Sequence, residues 1–594
     1  MKSLALVAEE IPRGRKVGLI ARSVRFARRR SDYFNMSGIA EFALVFSFFA
    51  LLIPLLVLDV LHHKFNSDEW QHLYVIWSWT RGAVQYRDIF DNHMPLFHLV
   101  FAPIAKLVGE RATILYWMRF SLLPMFFVTC WCTYRIGTCL FDRRVGLWSV
   151  IALTIYGGSR LIEFRTDSFW VPFWLLCVMT LIEEKITMRR ALVAGLFLGF
   201  CFAVSMKSVL MLITLGLSTP LAMVLVGRQK LGVSRSTLAQ CAFAFLGMTA
   251  LTPSVIMLFF WLKGLWSDFR YGVFDFNFLA KQVYQEGLLD QPHILPFVIS
   301  SAIALAALIL ITRLIARTIG EADLAFERTL ILLVCVFYYL LLNFWPPISR
   351  THLPLPPLVS VLGVGVLLHF SDKLAAFRAV PLPVVTALIV VAFFYAQPLA
   401  WRDNTREETN LLRDILALTQ PTDYVLDAKG ETLFRPRCTQ LVLERITMGA
   451  IARGLIADDS PRKCIETSTC VVATSLIGHF SPATRQFIER NYLPMTDSLR
   501  VAGVMLESSA NHDSQYDFQT VIPAAYKIIA QDGNVTGTLD GQPYVAARFL
   551  LPGKHTFIQA SGGGNLIALW AQAADRGFTP PLNCNPRSVV ENRT

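Results

Sequence analysis

Apolar residues dominate the first two thirds of the chain in long, nearly unbroken stretches. They fall near residues 42–60, 111–140, 146–162, 168–182, 191–206, 208–227, 237–262, 294–312, 329–345, 353–370 and 381–398. A bilayer-crossing helix needs roughly 17–25 mostly apolar residues, so the pattern predicts about eleven spans, the shorter ones buried in protein. The apolar stretch "FHLVFAPIAKLVG" (97–109) is too short to cross and predicts an interfacial or re-entrant helix. "FDRR", "EEKITMRR", "GRQKLGVSR", "TRLIARTIGEADLAFER" and "SDKLAAFR" are all basic, as cytoplasmic loops should be. The alternate loops then open on the other side. An odd number of spans carries everything beyond about residue 400 to that side as well.

From residue 401 the pattern becomes that of a water-soluble fold. A helix at 405–419, a short strand at "YVLDA", further helices and a strand at "CVVATSL" predict an α/β subdomain over 401–520. Beyond 521, short apolar runs separated by Asp-Gly and Pro-Gly turns predict a small β-rich subdomain, 521–594. The expected organisation is a basic cytoplasmic arm (1–40), a transmembrane domain (41–400, first outer loop 61–96) and these two extracytoplasmic pieces. The fold class is thus a polytopic α-helical membrane protein with a C-terminal α/β plus small β domain.

Composition sharpens the picture. With 54% hydrophobic and 16% charged residues, a chain of 594 residues is too apolar for a soluble protein. The net charge of +12 does not point to nucleic acid, because from Trp401 onward 19 Lys and Arg stand against 20 Asp and Glu, so the excess sits in the membrane half. The Arg-rich "PRGRKVGLIARSVRFARRR" lacks a small-residue cleavage site and reads as a cytoplasmic arm, which predicts a protein integral to the cytoplasmic membrane. Seven of the eleven cysteines lie in apolar stretches and read as small buried hydrophobes. Cys438, Cys464, Cys470 and Cys584 lie in the outer part, where pairing is chemically open to them.

The outer loops collect the ionisable residues. The first holds Asp68, Glu69, Arg87, Asp88, Asp91 and His93; the second Arg165 and Asp167; the third Lys207; the fourth Asp268, Arg270, Asp275 and Lys281; the fifth Arg350 and His352. Charge at membrane depth is costly and normally faces a polar cavity, so a water-accessible cavity on the outer face is expected. Cations suit a phosphate, an acid suits proton transfer, and apolar helices suit a lipid tail, which together fit a polyprenyl-phosphate sugar. No phosphate-binding Gly-rich motif, H-E-x-x-H or paired Cys-x-x-Cys is present, and an isolated "DE" is a poor hard-cation cage, so neither a cofactor nor a metal is expected.

The first loop carries a more specific pattern. An apolar span, "DE", a helix, "G-x-x-x-Y-R-D-x-F" (Gly82, Tyr86, Arg87, Asp88, Phe90) and "H-x-P-L" (His93, Pro95, Leu96) resemble the GT-C glycosyltransferases. Within them the chain is most similar to the protein O-mannosyltransferase, aminoarabinose transferase and rhizobial galacturonosyltransferase group, over about residues 40–400. "R-x-D" (Arg165, Asp167), Lys207 after a glycine-bearing helix, and "P-L-P-P-L" (354–358) match the same group. The resemblance implies transfer at the outer leaflet from a polyprenyl-phosphate sugar, with inversion. It makes Asp68 the general base, with Glu69 orienting it. It carries a phosphate-ligand role over to His93, and Lys207, Arg350, Arg165 and His352 are further phosphate candidates. Met94 stands where the family usually has Pro. The implied partners are the lipid-linked sugar, membrane lipids, and an acceptor that is lipid A or lipopolysaccharide, another envelope glycan or protein.

Plainer readings compete at each position. Asp68 and Glu69 also suit the N-terminus of a helix beginning at Trp70. Arg87 with Asp88, and Arg165 with Asp167, suit ion pairs that fix their loops or position substrate. Lys207, Arg350 and His352 suit headgroup anchors. Trp70, Tyr74, Trp77 and Trp79 suit an interfacial aromatic belt. Two other functions share the basic outer cavity: a flippase or transporter for lipid-linked sugar, and a polyprenyl-diphosphate glycan ligase.

Overall fold

Nine of the eleven apolar stretches coincide with helices in the computed structural model, which describes residues 36–183, 186–226, 234–283, 325–342, 351–373, 402–509, 512–530, 535–560 and 565–580. The stretches at 294–312 and 381–398 lie outside the described residues. The membrane half runs α1 (Met36–His62), α2 (Ser67–Thr80), α3 (Leu96–Val108), α4 (Ile114–Leu140), α5 (Arg143–Ile162), α6 (Thr166–Ile182), α7 (Met188–Val204), α8 (Ser208–Val226) and α9 (Arg235–Leu262). The short α10 (Trp266–Arg270) and α11 (Phe276–Val283) follow, then α12 (Ala325–Leu342) and α13 (Leu355–Lys373). Of these α4, α8, α9 and α12 are individually long and apolar enough to cross a bilayer. The chain turns by 77° between α1 and α2, which lays α2 across the end of the bundle. The short apolar segment at 97–109 is α3, of 13 residues.

Lipid offers apolar helices no hydrophobic drive to associate, so close backbone approach has to supply it. Gly195 and Gly199 of α7 lie one turn apart against α9. A Cβ on Gly195 would sit 2.3 Å from the Phe245 carbonyl oxygen, and one on Gly199 would sit 3.0 Å from that of Met248. The outward side of α9 leaves Phe243, Val255 and Trp261 exposed, as a lipid-facing surface would.

The C-terminal part opens with α14 (Arg406–Leu418) and inserts α15 (Arg445–Ala452), α16 (Ser460–Glu466) and α17 (Pro482–Asn491) between strands; α18 (Ala571–Asp575) comes last. The strands are β1 (Val425–Leu426), β2 (Val471–Ala473), β3 (Tyr492–Thr496), β4 (Leu499–Ser509), β5 (His512–Thr520), β6 (Ala524–Ala530), β7 (Gly537–Leu539), β8 (Gln542–Tyr544), β9 (Arg548–Leu550), β10 (Gly553–Gln559) and β11 (Leu566–Trp570). β1 and β2 pair in parallel, and the long β4 pairs antiparallel with β2, β3, β5 and β11. Strands from both sides of residue 520 therefore share one sheet, whose main path runs β8-β7-β10-β5-β4-β11-β6-β9.

This part is docked on the bundle. Leu412, Leu433 and Phe434 belong to the same buried apolar cluster as the membrane helices. Val442, Ile446 and Ala450 pack with Phe90, Phe276 and Val283 from the membrane half. The supposed aromatic belt lies beneath this contact: Trp70 and Tyr74 are buried, Trp77 meets Phe434 edge-on, and the Tyr74 hydroxyl accepts from Arg437 N. Tyr74 and Trp77 therefore lie at an interface with the C-terminal part.

Candidate functional site

The site starts at the N-terminus of α2. Asn66 is the N-cap: its side chain accepts from Asp68 N, while Glu69, three positions on, accepts from Asn66 N at 2.8 Å. This capping box starts the helix at Ser67, earlier than Trp70, and of the two acids Glu69 is the one that completes it. Glu69 is fully buried. Arg119 of α4 donates to it twice, from Nε at 2.7 Å and Nη2 at 2.6 Å, and Phe164 N donates at 2.8 Å. Arg119 also donates to the carbonyls of Val60, His63 and Lys64, so one guanidinium fixes the end of α1, the turn and the start of α2. Burial alone would raise the Glu69 pKa, but Arg119 and the two amides leave it lowered.

Asp68, on the next face of the helix, keeps 23% of its side chain exposed. Arg165 Nη2 lies 2.5 Å from its Oδ2, and the ammonium of Lys429 donates to its Oδ1. Burial pushes its pKa up, yet these two cations more than reverse that and hold it far below the usual carboxylate range. Arg165, the N-cap residue of α6, also faces Asp167 Oδ2 at 3.4 Å and Glu163 Oε2 at 3.6 Å. Lys207, in the turn between α7 and α8, donates to Asp167 Oδ1 at 2.8 Å. The sequence-derived residues Asp68, Arg165, Asp167 and Lys207 thus form one alternating string of acid and base. Lys207 is 7% exposed and paired, which is not how a headgroup anchor sits.

The rest of the first loop builds a support for His93. Trp79 Nε1 donates to Gln85 Oε1, and Gln85 Nε2 donates to Asp91 Oδ2 at 2.7 Å. The Tyr86 hydroxyl donates to the His93 carbonyl at 2.6 Å from a backbone at φ 76°, a left-handed conformation unusual for tyrosine. Asp91 Oδ1 lies 3.0 Å from His93 Nδ1 and Oδ2 lies 3.5 Å from His98 Nδ1, while His72 Nδ1 is 3.1 Å from His98 Nε2. Rings of His72 and His93 meet at 4.7 Å, so His93 stands on a stack of buried imidazoles. The C-terminal part closes this side, with Glu444 Oε1 accepting from Asn92 Nδ2 at 2.9 Å.

Other candidates lie elsewhere. Arg87 and Asp88 form a two-point pair at 2.8 Å on the surface, where Asp88 also accepts from Val84 N; they brace the loop outside the string. Arg270 and Asp275 pair with each other, both largely exposed. His352 lies beside Thr351, whose carbonyl accepts from Tyr338 OH at 2.8 Å. Arg350 lies outside the described residues. Among the described residues no group of His, Cys, Asp and Glu has a metal-holding arrangement.

Arg119 and Lys429 are among the cluster's members that the sequence pattern does not single out. Arg119 carries a usable signal, an arginine inside a mostly apolar helix. Lys429 carries none, being an ordinary lysine 361 positions from Asp68.

No family model and no curated protein matches the sequence. By structure the chain is similar to ArnT from Cupriavidus metallidurans bound to undecaprenyl phosphate, with a TM-score of 0.50 at 12% identity, covering 78% of this chain and 97% of that one. The same protein in the apo state gives a TM-score of 0.51 at 11% identity, covering 77% and 97%. Identity this low speaks for the fold alone: the chain shares the fold of ArnT over most of its length.

Proposed function

We propose that this GT-C-fold chain is a membrane glycosyltransferase that moves a sugar from a polyprenyl-phosphate donor to a cell-envelope acceptor at the outer leaflet. One observation carries the reading. Asp68 is a partly open carboxylate held between two cations, with a third cation, Lys207, one acid further along the string. The fold shared with ArnT, which binds undecaprenyl phosphate, supports the choice of lipid.

In this mechanism Asp68 takes the proton of the acceptor hydroxyl as its oxygen attacks C1 of the sugar from the face opposite the phosphate. The C1–O bond to phosphate breaks with its electron pair on the phosphate, and the anomeric configuration inverts. Arg165 and Lys207 neutralise the departing phosphate and His93 hydrogen-bonds it, with Arg350 and His352 assigned to the same group from sequence. Donors placed on developing charge are the largest source of rate in such sites. Side-chain cations do this work, and no cofactor enters the scheme. Glu69, through Arg119, positions the helix that carries the base. The acceptor is lipid A or lipopolysaccharide, another glycan, or protein.

The test is Asp68→Asn, assayed by mass spectrometry of envelope lipids and glycans from cells with and without the gene. A positioned general base contributes ~10²–10⁴-fold, so the variant should lose transfer by about that factor while still binding donor lipid. Transfer at the wild-type rate would overturn the assignment and favour a flippase or a ligase.

A further inference from the structure

Lys429 reaches Asp68 from the C-terminal part, and the turn that carries it is built to aim it. Asp427 Oδ1 accepts from Gly430 N at 3.0 Å, and its Oδ2 accepts from Thr432 N at 3.1 Å and from the Thr432 hydroxyl. Arg437 Nε donates to the same carboxylate at 2.5 Å and spans the carbonyls of Asp427, Ala428 and Leu441. Gly430 adopts φ +93°, where a Cβ would also strike the Tyr74 Cβ at 2.8 Å, so the turn lies flat on α2. The Lys429 side chain is 6% exposed, and among the described residues Asp68 is the one acid within ion-pair distance of it. Arg165 and Lys207, by contrast, are both tied to Asp167, which holds them in the bundle whatever happens at Asp68.

A carboxylate that donates its charge to two cations is a poor proton acceptor. The base that the proposed reaction needs is therefore blunted while Lys429 rests on it. Phosphate offers a lysine ammonium a competing and more strongly charged acceptor.

Resting on the function proposed above, we propose that Lys429 is a donor-phosphate ligand and that its pairing with Asp68 is the resting position of a substrate-operated switch. The incoming lipid phosphate takes the ammonium, Asp68 regains its basicity, and the acceptor's proton then moves to Asp68 as C1 changes partners. After transfer the released polyprenyl phosphate leaves, and Lys429 returns to the carboxylate. The enzyme thus becomes a good base only with donor in place.

The full-length protein in detergent micelles would be titrated with undecaprenyl phosphate, with inorganic phosphate and undecaprenol as separate arms. Lys429→Met should weaken undecaprenyl phosphate binding by about tenfold, and Lys429→Arg should restore most of it, because one charge-assisted contact has that order of worth. Asp68→Asn should tighten binding by a similar factor, since it releases the cation that the phosphate recruits. Combining the two should remove that gain. Inorganic phosphate following the same order would make the phosphate group the determinant, and undecaprenol should respond to none of the changes. Unchanged affinity in Asp68→Asn, or wild-type affinity in Lys429→Met, overturns the switch while leaving Asp68 as base intact. No binding of undecaprenyl phosphate to the wild type, together with no transfer, overturns the functional reading and the switch with it.

Discussion

Asp68 and Glu69 are adjacent, chemically alike, and placed in opposite circumstances. Glu69 has four donors, two from Arg119 and two from backbone amides, and no exposed surface. Asp68 has two cations and an opening to solvent. Removing one partner of a buried ion pair costs about 3–5 kcal/mol, because the other charge is stranded. Glu69→Gln should therefore lower the thermal midpoint of the detergent-solubilised protein sharply, as read by tryptophan fluorescence. Asp68→Asn should lower it less, since its side chain is partly open to solvent and the charges it leaves are not all sealed from water. Equal losses would mean that the two acids share one structural role. The sequence made the pair visible, because acids beside an apolar span are conspicuous. It could not divide their duties, since the division is decided by Arg119, 50 residues away.

Among elements, α7 shows how packing places a charge. Its two glycines let α9 come close enough for backbone contact, and that contact fixes the end of α7 from which the chain turns to present Lys207. Small residues are the main device for such approach in lipid. Gly195→Leu should push the helices apart, lowering both stability and any transfer activity, and Gly195→Ala should do so more mildly. A thermal midpoint unchanged in Gly195→Leu, measured on purified protein, would show that the contact is dispensable. Helix positions were legible at the nine stretches within the described residues, because an apolar run of about 20 residues has few alternatives to a helix in a bilayer. The glycine-bearing helix was noticed, but its partner α9 was not, since period and hydropathy say nothing about which faces meet. In the C-terminal part, β4 illustrates the same limit. Its strand character follows from composition, whereas its pairing with strands on both sides of residue 520 depends on contacts that no local pattern encodes.

At the scale of the whole molecule, the two halves are held by apolar packing and by a few polar contacts near the charged string, of which Glu444 to Asn92 is one. Burial pushes the Glu444 carboxyl up to about 7 from an ordinary 4.5, with Lys429 and His93 opposing the rise and Asp68 and Asp91 adding to it. Burial and the Asp427 charge likewise push Glu431 up to about 7. The folded protein thus keeps protons that the unfolded chain has released, so this share of stability is complete below pH 4.5 and is lost as pH rises to about 7. The thermal midpoint should fall across that window, and Glu444→Gln should flatten part of the fall. A midpoint in the variant that tracks the wild type at every pH would remove Glu444 from the account.

Synthesis order gives the Lys429 contact a further meaning. A ribosome finishes every residue up to Lys207 before it reaches position 429, so Asp68, Arg165 and Asp167 are inserted in the membrane long before their distant lysine exists. Within a nascent chain the carboxylate has Arg165 alone as its cationic neighbour in the string, and the assembly is completed only when the C-terminal part folds back over α2.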